Sequence, residues 1–294
     1  MSEQFDVVVI GGGPAGYGAA LYGASAGLRM ALVEKEKVGG TCLHRGCIPA
    51  KELLESAHVF RTVQHAATFG VNAGEPTIDW SVTMQRKQQV VDVQWKGLEA
   101  TLKGRKVTIV PGTGVLRGDG VVDVTAADGT VTTLQARNVV LAPGSVPRTI
   151  PGFEVDGRFV LTSDEVLSMP DLPRTAAVIG GGAIGCEFAS TLADVGVKVT
   201  VLEGLPKILP GCDADVAQVV ARSFAKRGIQ VRTGVRITGH QPGAESTLVQ
   251  IEGSEPLEVE RIIVSVGRRP ATETLHLDGT GIAVEVQRLS LIHI

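Results

Sequence analysis

Val7-Val8-Val9-Ile10-Gly11-Gly12-Gly13-Pro14-Ala15-Gly16 decides the fold of this chain. A β-branched run meets a cluster of glycines, an alanine-rich run carries on to Leu28, and a second apolar run, Met30 to Val33, ends on Glu34. The second half does this again. Ala177-Val178-Ile179 leads into Gly180-Gly181-Gly182-Ala183-Ile184-Gly185, a helix-like stretch reaches Val195, and Val197 to Leu202 ends on Glu203. In both copies the acid lies 23 positions after the first glycine, and an alanine (Ala20, Ala189) follows four residues after the last glycine.

Each copy predicts a buried strand, a tight loop, a helix and a second strand with an acid at its end, the context in which a GxGxxG pattern carries meaning. The first glycine of each set (Gly11, Gly180) makes the turn, the second (Gly13, Gly182) lets a pyrophosphate approach the backbone, and the third (Gly16, Gly185) packs helix on strand. Free N–H groups and the dipole at the helix start favour the anion. Glu34 and Glu203 are placed to accept hydrogen bonds from ribose hydroxyls. Two dinucleotides are implied. Glu203 would repel a 2′-phosphate, so NAD is favoured over NADP at the second site, with Lys207 the nearby cation that could argue otherwise.

Composition agrees with this. At 294 residues the chain is long enough for two domains of ~150 residues. Hydrophobic residues at 44% and charged residues at 20% exclude a disordered tail or a disulfide-stapled mini-protein. The 37 glycines follow no G-X-Y period, so loops must account for them. A net charge of −3 indicates no basic face for nucleic acid. Val7 to Leu28 is uncharged and long enough to span a membrane, but its seven glycines and Pro14 fit a strand, loop and buried helix far better. Met-Ser-Glu-Gln-Phe-Asp lacks the basic start of a signal peptide, and four cysteines are too few for a secreted framework, so a soluble, cytoplasmic protein is expected.

Between the repeats, Asp79 to Lys103 reads as one long amphipathic helix. Val107–Val110, Val121–Ala126, Val131–Leu134 and Asn138–Leu141 read as strands, with a hairpin at Asp128-Gly129. Pro143, Pro147, Pro151 and Pro170 suggest a linker near 143–172. Ala214–Lys226 reads as helix and Ile229–Val264 as strand-rich.

Gly39-Gly40-Thr41-Cys42-Leu43-His44-Arg45-Gly46-Cys47-Ile48-Pro49-Ala50-Lys51 follows the first acid by a short connection and so opens beside the first dinucleotide. A cytosolic cysteine pair next to a redox cofactor points to a catalytic disulfide. The alternatives are two unreactive buried thiols, or a metal held by Cys42, His44 and Cys47, for which no fourth ligand is evident. No metal is expected. Cys186 and Cys212 read as isolated small core residues. Lys51 lies four residues after Cys47, on its face if a helix starts there, where an ammonium could hold negative charge on a thiolate or a flavin.

This cysteine motif, together with Leu141-Ala142-Pro143-Gly144-Ser145-Val146-Pro147 and Val266-Gly267-Arg268-Arg269-Pro270, resembles the disulfide-containing flavoprotein reductases. These are the class I pyridine nucleotide-disulfide oxidoreductases, and the likeness is closest to their dihydrolipoamide dehydrogenase branch, from Phe5 to about residue 288. The resemblance implies an α/β protein of two Rossmann-like domains, each three-layered (ββα). An FAD domain would cover 1–148 and an NAD domain 149–270, with 271–288 returning to the first. Besides the glycines and acids above, Gly40, Thr41, Lys51, Gly144 and Gly267 would contact the cofactors. Cys42 would be the thiol that exchanges with the lipoyl sulfur and Cys47 the thiol facing the flavin, with Lys51 paired to Glu187. Electrons would pass from dihydrolipoyl groups to the disulfide, to flavin, to NAD. The implied partners are the dihydrolipoyl group of an acyltransferase or glycine-cleavage carrier protein, and a second copy in a homodimer, with no nucleic acid or membrane. Reductases of glutathione, trypanothione or mercuric ion are the alternatives, as is an inert dinucleotide-binding fragment.

His44-Arg45, Ala50 and Pro143 depart from the family's commoner Asn-Val, Ser and Thr. The family's second FAD motif and its dimerisation domain, which carries a His-Glu pair, would lie past residue 288. The chain as given is therefore expected to be an incomplete enzyme, without turnover and weak in flavin. Leu289-Ser290-Leu291-Ile292-His293-Ile294 matches a translated sequencing adapter and is expected not to be native.

Overall fold

The computed structural model describes residues 3–277 and 280–282; the expected non-native tail and residues 283–288 lie outside them. The chain divides into two compact units. The first comprises the chain up to Ile48, Gln89–Val146 and the described residues from Arg268 on; the second comprises Pro49–Gln88 and Pro147–Gly267. The expected boundaries were 148/149 and 270/271, with 271–288 returning to the first domain. Residues 49–88 group with the second unit because Leu53, Ala57 and Trp80 are buried in one cluster with Val178, Phe188 and Leu192.

In chain order the elements of the first half are β1 (Glu3–Ile10), α1 (Pro14–Ser25), β2 (Met30–Glu34), α2 (Gly40–Arg45), α3 (Cys47–Gln64), α4 (Trp80–Gly104), β3 (Thr108–Pro111), β4 (Thr113–Gly118), β5 (Val121–Thr125) and β6 (Val131–Leu141). The first unit's sheet has the order β3-β2-β1-β6-β5-β4. β1 runs parallel to β2 and β6, and β2 parallel to β3, as a strand–helix–strand repeat requires. β4, β5 and β6 form an antiparallel meander. Strand alternation then separates two cores: Val8 and Ile10 pack with Leu116, Val122 and Val124, whereas Val9 packs with Ala20, Leu32 and Leu102. The two separate runs expected at 131–134 and 138–141 are one strand. Its first part pairs antiparallel with β5 and its second part lies along β1, so the polar residues between them sit mid-strand.

The elements that follow are β7 (Ser145–Pro147), β8 (Val160–Leu161), α5 (Ser163–Val166), β9 (Thr175–Ile179), α6 (Ala183–Asp194), β10 (Lys198–Glu203), α7 (Ala214–Lys226), β11 (Gln230–Thr233), β12 (Ile237–Pro242), β13 (Thr247–Ile251), β14 (Leu257–Val259), β15 (Arg261–Val264) and β16 (Arg268–Pro270). The second unit has a parallel sheet, β11-β10-β9-β15-β8, and a three-stranded antiparallel sheet, β12-β13-β14. Ala177, Ile179 and Leu202 face the three-stranded sheet through Val249, Ile251 and Val259. Val178 and Val201 face the helices through Phe188, Leu192 and Phe224. This is a three-layer ββα arrangement.

The proline-punctuated stretch at 143–172 is not an open linker. Phe153 is fully buried in the second core, and Thr162 starts α5 with a reciprocal cap: its N–H donates to Glu165 Oε2 at 2.7 Å, and its hydroxyl oxygen accepts the Asp164 N–H at 3.4 Å. The expected long helix is α4. Asp79 caps it by accepting the Val82 N–H (3.0 Å), a bond that holds the Asp79 carboxyl below the usual carboxylate range.

Candidate cofactor and disulfide sites

The two glycine loops are built alike to within a few degrees. Gly11 and Gly180 take φ of 105° and 102°, which favours glycine, and a Cβ on either would meet a carbonyl oxygen, that of Ala142 at 2.0 Å or of Ser265 at 2.6 Å. A Cβ on Gly16 would lie 1.7 Å from Gly11 O, and one on Gly185 would lie 2.0 Å from Gly180 O, so only glycine lets each helix close on its strand. Gly13 and Gly182 differ. They cap α1 and α6 in extended conformation, and a Cβ there would meet nothing nearer than 3.7 Å in the first case and nothing within 4 Å in the second. The open space faces helix starts that carry no side-chain cap, which suits a pyrophosphate.

Each acid clamps its loop. Glu34 Oε2 accepts the Gly12 N–H (2.7 Å) and Oε1 the Glu36 N–H (2.9 Å); Glu203 Oε2 accepts the Gly181 N–H (2.6 Å) and Oε1 the Leu205 N–H (2.8 Å). A carboxylate has about four acceptor sites, so two remain for ribose hydroxyls. Lys207, the cation that could have favoured a 2′-phosphate, donates to Cys212 O at 2.6 Å.

In the first unit the loop after the acid closes on the glycines. Gly39 N–H donates to Gly12 O (2.7 Å), and a Cβ on Gly40 would lie 2.6 Å from Gly13 Cα. α2 starts there and carries Thr41 and the half-buried Cys42; Gly46 ends it, and the exposed Cys47 is the first residue of α3. Both cysteines lie within electrostatic reach of the Tyr17 phenol, which is pushed up mainly by burial and further by negative charge on Cys42 and Cys47. His44 bonds Val38 O through Nε2 (2.9 Å) and Arg45 pairs with Glu36 (2.8 Å), so neither departure from the family pattern leaves a loose end. Among the described residues, no three His, Cys, Asp or Glu side chains are grouped to hold a metal.

In the second unit Lys51 Nζ donates to Glu187 Oε1 at 2.6 Å, joining α3 to α6 across 136 residues of sequence. Gly144 O accepts the Ala271 N–H (3.0 Å), and Gly267 O accepts the Arg148 N–H (2.9 Å).

Sequence reading missed Gly112-Thr113-Gly114. With Gly11, Glu34 and Pro143 these residues line a cavity of about 320 Å³ in the first unit. Gly112 has φ of 146°, and a Cβ on Gly114 would press on Val33 and Ile10. A lone GTG at a strand start is a weak signal without the fold. Cys212, expected to be a small core residue, is exposed, whereas Cys186 is buried as expected.

Two dinucleotide folds in one chain, with a cysteine pair against the first glycine loop, define a two-cofactor oxidoreductase of the disulfide class. The chain matches the family described as pyridine nucleotide-disulphide oxidoreductase over residues 5–291, and it belongs to that family. It is 42% identical to a dihydrolipoyl dehydrogenase of Chlorobaculum tepidum over 97% of this chain and 62% of the relative, and 40% identical to one of Bacillus subtilis over 99% and 64%. Among solved structures it is similar to LpdA from Mycobacterium tuberculosis, with a TM-score of 0.89 and 27% identity over 96% of this chain and 62% of that one. It is also similar to a Cu(II) complex of the HOCl-induced flavoprotein disulfide reductase RclA from Escherichia coli, with a TM-score of 0.83 and 28% identity over 97% and 61%. Relatives of these kinds use FAD and NAD(P). The chain spans a little under two thirds of their length. Among the described residues no helix is long and apolar enough to cross a membrane.

Proposed function

We propose that this chain is the cofactor-binding and disulfide-bearing part of a cytoplasmic dihydrolipoamide dehydrogenase, oxidising dihydrolipoyl groups and reducing NAD+. The observation that carries this is the seating of the Cys42–Cys47 segment on the first glycine loop through Gly39 and Gly40. FAD fits the first loop, with Gly13 and the start of α1 at its pyrophosphate, Glu34 at its ribose and Gly112–Gly114 at its adenosine end. NAD fits the second, with Gly182 and Glu203 in the same roles. When bound, the flavin supplies a two-electron acceptor that passes a hydride to NAD+.

The chain's own chemistry is thiol exchange. In the oxidised protein Cys42 and Cys47 share a disulfide. One dihydrolipoyl thiolate attacks Cys42 Sγ, the Cys42–Cys47 bond breaks, and Cys47 leaves as a thiolate. The second dihydrolipoyl sulfur then displaces Cys42, and the cyclic lipoyl disulfide departs with the protein holding two thiols. Cys47 opens the 18-residue α3, whose N-terminus favours an anion, and Lys51, one turn further on and held by Glu187, adds a positive charge on that side. The acyl carrier of a 2-oxo acid or glycine-cleavage complex and a second copy of the chain are the partners this reading calls for.

Peptide mapping of the oxidised chain should find Cys42 joined to Cys47, and dihydrolipoamide should open that bond in the wild-type protein. Cys42→Ser should abolish the exchange. A chain whose Cys42 and Cys47 stay unlinked under mild oxidation, or whose disulfide resists dihydrolipoamide while yielding to another dithiol, would sink the reading.

A further inference from the structure

The second glycine loop has two cysteines of its own beside it, placed by the internal repeat. In the first repeat Gly39 N–H donates to Gly12 O, and Cys42 follows three residues later. In the second, Leu209 N–H donates to Gly181 O (2.6 Å), and Cys212 follows three residues later. Tyr17, next after Gly16, lies within reach of Cys42 in the first; Cys186, next after Gly185, takes its place in the second. Cys186 Sγ donates to the same Gly181 oxygen at 3.4 Å, and Cys212 N–H closes a turn on Leu209 O at 2.9 Å. One carbonyl thus ties Cys186 to the turn that carries Cys212. Burial, then Glu203 and Glu187, then Cys212 push the Cys186 thiol up to about 11.

The two thiols differ in access, which sets the order in which they would react. Cys212 is exposed, with the Lys207 ammonium bonded to its carbonyl, whereas Cys186 is 7% exposed. The turn between them is under backbone strain, since Leu209 holds φ of 49°, which a leucine rarely adopts.

We propose that Cys186 and Cys212 are a second redox-active dithiol, and that its oxidation by a low-molecular-weight disulfide weakens pyridine nucleotide binding at the second glycine loop. The Cys212 thiolate attacks the external disulfide RSSR, forming Cys212–S–S–R and releasing RS−. Cys186 then gives its proton to the RS− released in the first step as it attacks the Cys212 sulfur, forming the Cys186–Cys212 bond and releasing the second RS−. The two thiol protons end on the two RSH products, so two protein thiols are oxidised and one RSSR is reduced. Bridging takes Cys186 Sγ off Gly181 O and draws the 209–212 turn with it. Gly181 gives its N–H to Glu203, so the change is felt at the carboxylate that would hold the ribose. This effect rests on reading the second loop as a pyridine nucleotide site.

The test uses the full chain carrying Cys42→Ser and Cys47→Ser, so that the first pair cannot exchange. After treatment with oxidised glutathione, peptide mapping should find Cys186 joined to Cys212. With Cys186→Ser added, or in an independent Cys212→Ser variant, that link should be lost, and Cys186→Ser should stop at the Cys212 mixed disulfide. NADH titration by fluorescence should give a dissociation constant at least tenfold higher for the bridged than for the reduced protein, restored by a dithiol. A mixed disulfide at Cys212 with Cys186 unlinked would overturn the proposal, as would equal affinities in the two states. Failure of the reduced protein to bind NADH would instead sink the assignment of the second loop.

Discussion

The glycines of the two repeats look interchangeable on paper and are not. Gly16 and Gly185 face a carbonyl oxygen, Gly13 and Gly182 face open space, and Gly18 faces nothing within 4 Å inside α1. Gly16→Ala and Gly185→Ala should therefore lower the melting temperature of their own unit, whereas Gly18→Ala should raise stability by about 0.5–1 kcal/mol through helix propensity. Gly182→Ala should leave the melting curve in place and weaken NADH binding at least tenfold. A Gly182→Ala variant with unchanged affinity would show that no ligand backbone approaches that residue. Glu203 should make NADH bind more tightly than NADPH, and Glu203→Gln should narrow the gap, as paired titrations would read. Cys186 supplies a pH dependence. Its folded-state value of about 11 lies above its ordinary value of 9.0, so folding keeps its proton on. That contribution is whole below pH 9 and is lost as pH rises toward 11. Alkaline melting curves of Cys186→Ala should accordingly flatten across this window.

At the scale of elements, α3 is joined to α6 by two ion pairs of different kinds. Near the helix starts, Lys51 and Glu187 are 58% and 34% exposed, and such pairs are worth about 1 kcal/mol or less. Near their ends, Asp194 is 7% exposed and takes both Arg61 (3.1 Å) and Arg227 (2.7 Å), whose guanidinium also bonds Ser190. Removing a partner from a buried network costs about 3–5 kcal/mol, because the remaining charges are stranded. Asp194→Ala should thus destabilise the second unit by that order in urea unfolding, while Glu187→Gln should move stability little and slow exchange at the Cys42–Cys47 centre. If Glu187→Gln were the more destabilising of the two, the pair at the helix starts would be structural. The strand–helix–strand order of both repeats, α4 and α7 were legible from periodicity and glycine placement. β4 was not, because Thr113–Gly118 has only two buried residues, Gly114 and Leu116, and two of its six residues are glycine.

Over the whole molecule, each unit has its own pair of hydrophobic clusters and its own glycine loop. A ligand that binds one folded unit stabilises that unit by mass action. Calorimetry should resolve a transition that NADH raises and Gly185→Ala lowers, and another that FAD raises and Gly16→Ala lowers. A single transition shifted alike by both ligands would mean that the units melt as one.

Sequence by itself determined the tandem dinucleotide fold, because glycine spacing and a distant acid are local demands of a strand–turn–helix joint. It also marked Cys42, Cys47 and Lys51, since all three lie within ten residues of chain. Only the tertiary structure decided what depends on contacts between segments far apart in the chain. It placed Gly112–Gly114 beside Glu34, buried the stretch that prolines had marked as a linker, and set Cys186 and the turn that carries Cys212 on one carbonyl. Local periodicity fixes which face of an element is apolar, but nothing in it fixes which distant side chain that face, or the polar edge beside it, will meet.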